Sequence, residues 1–235
     1  MKNFILLTAL ALSLCGNVFG QESKISKTIN LGVLNDKAKV LQMPNYPKIQ
    51  ARIAGNVTIL VKIELQNGKV IEATTITGHP LLRKSAEDAA LKAEFAPILK
   101  EFDTIYGTGT LIFKIEDFTG KVVENKNPKP ILPILDFRTA IVNGKARNLE
   151  IPKYTEEAKK ACASGKVEII VLSYMATGKI ISAKAVSGNK LLRKSAEDAV
   201  MKSEFSVPNI DGDKNVYLIG KIIYNFVPEK SCKNK

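Results

Sequence analysis

The sequence contains no tryptophan, one histidine and three cysteines, and only 6% of its residues are aromatic. Missing tryptophan removes the usual stacking platform for sugars and a common anchor of protein interfaces. One histidine, with no Cys–His spacing, leaves no ordinary zinc site. No Gly-rich phosphate loop and no nucleophile–base pair occurs, so the chain reads as a non-enzyme without cofactor or metal. Ser85 and Asp88 lie close together but have no base beside them, and His79 reads as a turn residue ahead of a helix. Acidic residues are also in deficit, with 23 Asp and Glu against 35 Lys and Arg, a net charge of +12.

No apolar run approaches the roughly 20 residues that span a bilayer. The longest, Phe4 to Leu14, follows the basic start Met1-Lys2-Asn3 and precedes Val18-Phe19-Gly20, with small residues at −3 and −1. This is the pattern of a secretory signal peptide, here residues 1–20, and export is the expectation. An exported basic protein does not meet nucleic acid. Its charge, +11 once the signal and its single lysine are set aside, would face peptidoglycan or an anionic membrane surface, or simply stay solvated. Cys15 raises the alternative of a lipoprotein signal, but the large Leu14 before it argues against lipidation. Cys162 and Cys232 remain in the mature chain, where an oxidising compartment allows a disulfide; two free thiols are the alternative.

What is present is a long repeat. Leu81–Ala89 reads LLRKSAEDA, and so does Leu191–Ala199, 110 residues later. Gly55-x-Val57-x-Ile59-x-Val61 returns as Gly165-x-Val167-x-Ile169-x-Val171, Gly68-Lys69 as Gly178-Lys179, and Glu94-Phe95 as Glu204-Phe205. One long period means two copies of a small domain. The expected organisation is a flexible N-terminus over 21–30, domain 1 over 31–120, a Pro/Asn-rich linker over 121–137, domain 2 over 138–228 and a tail over 229–235.

Each copy is predicted to open with a strand or hairpin, since Leu34-Asn35-Asp36-Lys37 matches Val142-Asn143-Gly144-Lys145 and Asn-Gly is a strong hairpin signal. A short helix follows, started by Pro47 in copy 1 and by Thr155 with Glu156 and Glu157 in copy 2. Val57, Ile59, Val61, Ile63 and Leu65 alternate with mostly polar residues, predicting a half-buried strand that turns back at Gly68. In copy 2 the outward set includes Ile170, Leu172 and Tyr174, which predicts either cover by the other domain or a binding face. The repeated nonamer is predicted helical, with Leu82, Ala86, Ala89 and Ala93 on one face and Arg83–Glu87 and Lys84–Asp88 as outer i,i+4 pairs. Final strands are expected at Thr110–Ile115 and Leu218–Phe226. The fold class is therefore α+β: each domain a small antiparallel sheet of about three strands, two helices on one face, the last strand a free edge.

Tyr46-Pro47, Gly55-x-Val57, Gly68-Lys69-Val70, Gly78-His79-Pro80-Leu81-Leu82 and Phe95-x-Pro97 resemble the C-terminal domain of the TonB family. The second copy carries Tyr154, Gly165-x-Val167, Gly178-Lys179-Ile180, Leu191-Leu192, Phe205 and Tyr224-x-Phe226. The resemblance implies a periplasmic protein-binding domain of a Gram-negative bacterium, docking an extended segment of an outer-membrane transporter by strand addition, in energy-coupled transport. The docking edges it implies are the strands around Leu111 and Phe113 and around Ile222 and Tyr224. The family's retained membrane helix and long Pro-rich spacer have no counterpart in residues 1–30. The alternative is an envelope structural protein that binds peptidoglycan or anionic surfaces without transducing energy.

Overall fold

The computed structural model describes residues 28–45, 53, 55–206, 216–228 and 232. The signal peptide, Cys15 and the helix expected at Pro47 lie outside them. Domain 1 contains β1 (Thr28–Val33), β2 (Ala38–Gln42), β3 (Asn56–Glu64), β4 (Lys69–Thr77), α1 (Pro80–Ala90), β5 (Glu94–Phe95), β6 (Tyr106–Lys114) and β7 (Val122–Glu124). Domain 2 contains β8 (Ile134–Ile141), β9 (Ala146–Asn148), α2 (Glu156–Lys160), β10 (Gly165–Tyr174), β11 (Lys179–Ala185), α3 (Lys190–Met201), β12 (Glu204–Phe205) and β13 (Tyr217–Phe226).

The small three-stranded antiparallel sheets expected from the sequence are not what forms. Domain 1 is a seven-stranded sheet in the order β1-β6-β3-β4-β5-β2-β7, and domain 2 a six-stranded one in the order β8-β13-β10-β11-β12-β9. Both sheets are mixed: β1 pairs parallel with β6, and β8 parallel with β13. The expected core of two long strands and a final strand is present in each, but it is extended on both sides. Nor do the segments around Asn35 and Asn143 make hairpins. β1 and β2 sit five strand-steps apart, although only residues 34–37 separate them. Five flat steps cover about 24 Å at ~4.8 Å each. The link reaches at most roughly 18 Å, so the sheet must curl. The same holds between β8 and β9.

The curl wraps the apolar row of each long strand round a helix. Val57, Ile59, Val61 and Ile63 are fully buried on β3, and Leu82, Ala86, Ala89 and Ala90 are buried on α1. Alanine on that face brings the helix backbone close to the sheet, and each buried Val or Ile contributes about 1.5–3 kcal/mol. Gly68 and Gly178 make the turn after each long strand at φ +73° and +70°; a Cβ there would lie 2.1 Å from the carbonyl oxygen of Phe95 or Phe205. In domain 2, Thr155 caps α2 by accepting the Ala158 N–H.

Identity of the nonamer now has a residue-by-residue cause. His79 Nδ1 and Asn189 Oδ1 accept the amides of Leu81 and Leu191, so both are helix N-caps. Arg83 Nε donates to the Gly78 carbonyl at 3.1 Å and Arg193 Nε to that of Gly188 at 3.0 Å, rather than pairing with Glu87 and Glu197. Those glutamates instead accept strand amides, from Thr75 at 2.9 Å and from Ala185 at 2.7 Å. Ser85 Oγ donates to the Asn45 carbonyl at 2.6 Å, and Ser195 Oγ donates to that of Lys153. Lys84–Asp88 and Lys194–Asp198 form the expected outer ion pairs.

Apolar residues on the outer face of β10 are covered by domain 1. Ile170, Leu172 and Ile219 belong to one buried cluster with Leu99, Phe102, Ile105 and the linker residues Ile131 and Leu132. Arg138–Glu101 and Lys184–Asp103 pairs bridge the domains at 2.6 and 2.8 Å. Both are half exposed, so they align the interface more than they stabilise it.

Candidate functional site

The sequence places the docking edge on β6 and β13, and in the structure neither strand is an edge. β1 runs along β6 from Thr28↔Tyr106 to Val33↔Thr110. Beyond Thr110 the Asn35 side chain takes over: its Nδ2 donates to the Ile112 carbonyl at 2.7 Å and its Oδ1 accepts the Ile112 amide at 2.9 Å. Asn143 repeats this on Ile223 at 2.8 and 2.9 Å. The side-chain amide stands in for one residue of an added strand. Just before it, Gly109 lets the chain at Gly32 and Leu34 pass close to β6, since a Cβ there would lie 2.6 Å from Leu34 Cδ1 and from the Gly32 carbonyl.

Side chains of the four sequence-derived residues point inward. Leu111, Phe113 and Ile222 are fully buried, and Tyr224 is nearly so. The Tyr224 hydroxyl donates to the Glu150 carbonyl at 2.7 Å, and burial pushes its pKa up. These residues hold the core, and beside them the strand edge is occupied by the side chains of Asn35, on Ile112, and of Asn143, on Ile223.

Among the described residues, an edge does remain open elsewhere. In domain 1 the chain leaves β6 and returns as β7 against β2, pairing Val40↔Glu124, Leu41↔Val123 and Gln42↔Val122. The Met43 amide donates to the Lys121 carbonyl at 2.7 Å, and the Asn125 amide to that of Lys39 at 2.8 Å. β9 is the domain 2 counterpart of β2. Its inner side pairs with β12, Glu204↔Asn148 and Phe205↔Ala146. Among the described residues, no strand pairs with its outer side. By ladder alternation Arg147, Leu149 and Ile151 direct their backbone groups outward, as Lys39, Leu41 and Met43 do in domain 1.

Cys232 is joined to Cys162, just past the end of α2, with Cα atoms 5.7 Å apart. Sequence reasoning missed this edge. A signal for it existed: Lys121-Val122-Val123-Glu124 comes after the first copy, while Val227-Pro228-Glu229 comes after the second.

Two cavities lie near these features. One of about 520 Å³ separates the domains and is lined by Leu31, Lys37, Leu132, Tyr174 and Tyr217. Its tyrosine rings lie 5.0 Å apart, and Lys37 Nζ donates to the Leu31 carbonyl at 2.7 Å. Burial, then the neighbouring Tyr174, pushes the Tyr217 pKa up. The second, about 270 Å³, lies beside β9 between Ile151, Lys153, Tyr154, Lys194 and Lys202. Among the described residues no three metal-ligating side chains cluster. No family model, no curated protein and no solved structure matches this chain.

Proposed function

We propose that this is an exported, TonB-like protein-binding module of the Gram-negative periplasm, docking extended segments of outer-membrane transporters or other envelope proteins by strand addition. The observation that supports it most directly is the outer side of β9, unpaired among the described residues, an edge that domain 1 fills with an extended segment of its own. Energy coupling follows only from the resemblance of Gly55-x-Val57, Gly68-Lys69 and Gly78-His79-Pro80 and their second-copy equivalents to that family.

The test places a photo-crosslinking residue, one at a time, at exposed Ile76, Leu81, Arg147 and Leu191 in intact cells. Capture of a periplasmic segment of an outer-membrane transporter at any of them supports docking. Retention on cell-wall sacculi or anionic vesicles, lost as salt rises and without protein capture, would move the function to an envelope structural protein held by its lysines.

A further inference from the structure

Among the described residues the two copies differ at one edge, filled in domain 1 and open in domain 2. Building on the strand-addition reading, we infer that the outer side of β9 accepts an acidic extended peptide segment, antiparallel, in the register that β7 holds on β2.

Register comes from the duplicated frame. Val123 lies opposite Leu41 and the Lys121 carbonyl meets the Met43 amide, so the incoming segment has equivalent residues opposite Leu149 and Ile151. Upstream, the Asn45↔Thr119 bridge places the segment's next contact opposite Lys153. Apolar chemistry comes from Ile151. Its counterpart Met43 packs on the domain 1 core, whereas Ile151 is 80% exposed. A segment in this register covers it.

Charge comes from the adjoining cavity. Its wall carries Lys153, Lys194 and Lys202 against Glu150 and Asp198, and Asp198 is already paired with Lys194 at 2.8 Å. Exposed Arg147 extends the basic character along the edge. Positions equivalent to Asp117–Thr119 of the segment run over this wall, so acids belong there. Main-chain bonds supply the affinity and the lysines select the sequence.

The chain contains its own probe. A synthetic peptide of residues 117–125, Asp-Phe-Thr-Gly-Lys-Val-Val-Glu-Asn, already fits the equivalent edge. A second peptide carries Glu in place of Thr119 and of Lys121. Each is titrated into the full chain with its disulfide formed, reading backbone amide signals. Binding is expected to shift Arg147, Leu149 and Ile151, with the acidic peptide tighter by roughly fivefold. Lys153→Glu with Lys202→Glu should remove that preference. Ile151→Pro, at an exposed site beside Pro152, should weaken both peptides about tenfold or more by deleting one edge donor.

Shifts confined to β2 would mean exchange with β7 and would overturn the assignment. So would equal affinity of the two peptides, or concentration-dependent changes at Arg147 and Leu149 without peptide, which would place a second copy there. Capture of a transporter segment in cells at Ile76 or Leu81, with no peptide response at β9, would sink this inference and leave the docking reading standing.

Discussion

Domains 1 and 2 share an inner face and differ on their outer one. Inside, Val57, Ile59 and Val61 return as Val167, Ile169 and Val171, all fully buried against helices that share two buried alanines, Ala86 and Ala89 matching Ala196 and Ala199, with Val200 in place of Ala90. Outside, Leu60 and Lys62 stand opposite Thr110 and Thr108, while Ile170 and Leu172 stand opposite Lys221 and Ile219. The domain 1 set faces solvent, with Lys62 paired to Glu72 at 2.9 Å and 4.8 Å from the Tyr106 ring centroid. The domain 2 set lies under domain 1. The inner face must be kept for the copy to fold at all. The outer face and the strand edges are free to diverge, and there one copy has become a base for the other.

Exchanging that difference has the largest expected effect. Leu172→Lys installs the domain 1 residue where the outer face is fully buried. An unpaired charge in that interface should cost about 3–5 kcal/mol and split denaturation into two transitions as the domains part. The reciprocal Lys62→Leu, on a partly exposed site whose ion pair is worth little, should change stability by less than about 1 kcal/mol. Equal effects of the two would show that the outer faces do not differ in kind.

The asparagine clamp sharpens the comparison at a smaller scale. Asn35→Ala and Asn143→Ala each remove two backbone-directed bonds and should cost about 1–3 kcal/mol. Hydrogen exchange should separate them. β1 keeps a ladder with a single irregularity between Asn30 and Gly32, whereas the β8 ladder jumps from Asp136 to Ile141. Amides of β13 next to β8 should therefore lose protection more than those of β6. Equal loss would mean the ladders, not the clamps, set edge stability.

Much of the inner framework was legible in the sequence, because helix and strand periods are local. The nonamer helix, the long strands and the Thr155 cap all follow from spacing alone. The extra strands were not legible. Glu94–Phe95 and Glu204–Phe205 are two residues long, too short to show a period. The pairing of β1 with β6 joins segments far apart in the chain, for which neither carries a local mark. Asn143-Gly144 misled for a physical reason: the asparagine is used for its amide, which bonds Ile223, and not for a left-handed turn. Arg83 and Glu87 likewise have helical spacing for each other, yet each finds a backbone partner that the fold supplies. The open β9 edge was visible only as a mismatch between the segments C-terminal to each copy.

The smallest effect is a titration. Glu87 accepts both the Thr75 hydroxyl and the Thr75 amide, at 2.7 and 2.9 Å, and these bonds to the charged form lower its pKa below 4.5. A carboxylate whose pKa is depressed on folding contributes stability that is present above its unfolded value and is lost as pH falls through the folded one. Domain 1 should therefore lose this contribution only below about pH 4.5. Glu197 accepts the Ala185 amide but has no hydroxyl at that position to add a second bond. Glu87→Gln should flatten the acid limb of domain 1 stability, and Thr75→Ala should flatten it in part by removing the hydroxyl bond. Chemical denaturation followed by amide signals from each domain, between about pH 3 and 7, makes the measurement. An acid limb that Thr75→Ala leaves unchanged would show that the hydroxyl of Thr75, present in one copy and absent from the other, has no energetic consequence.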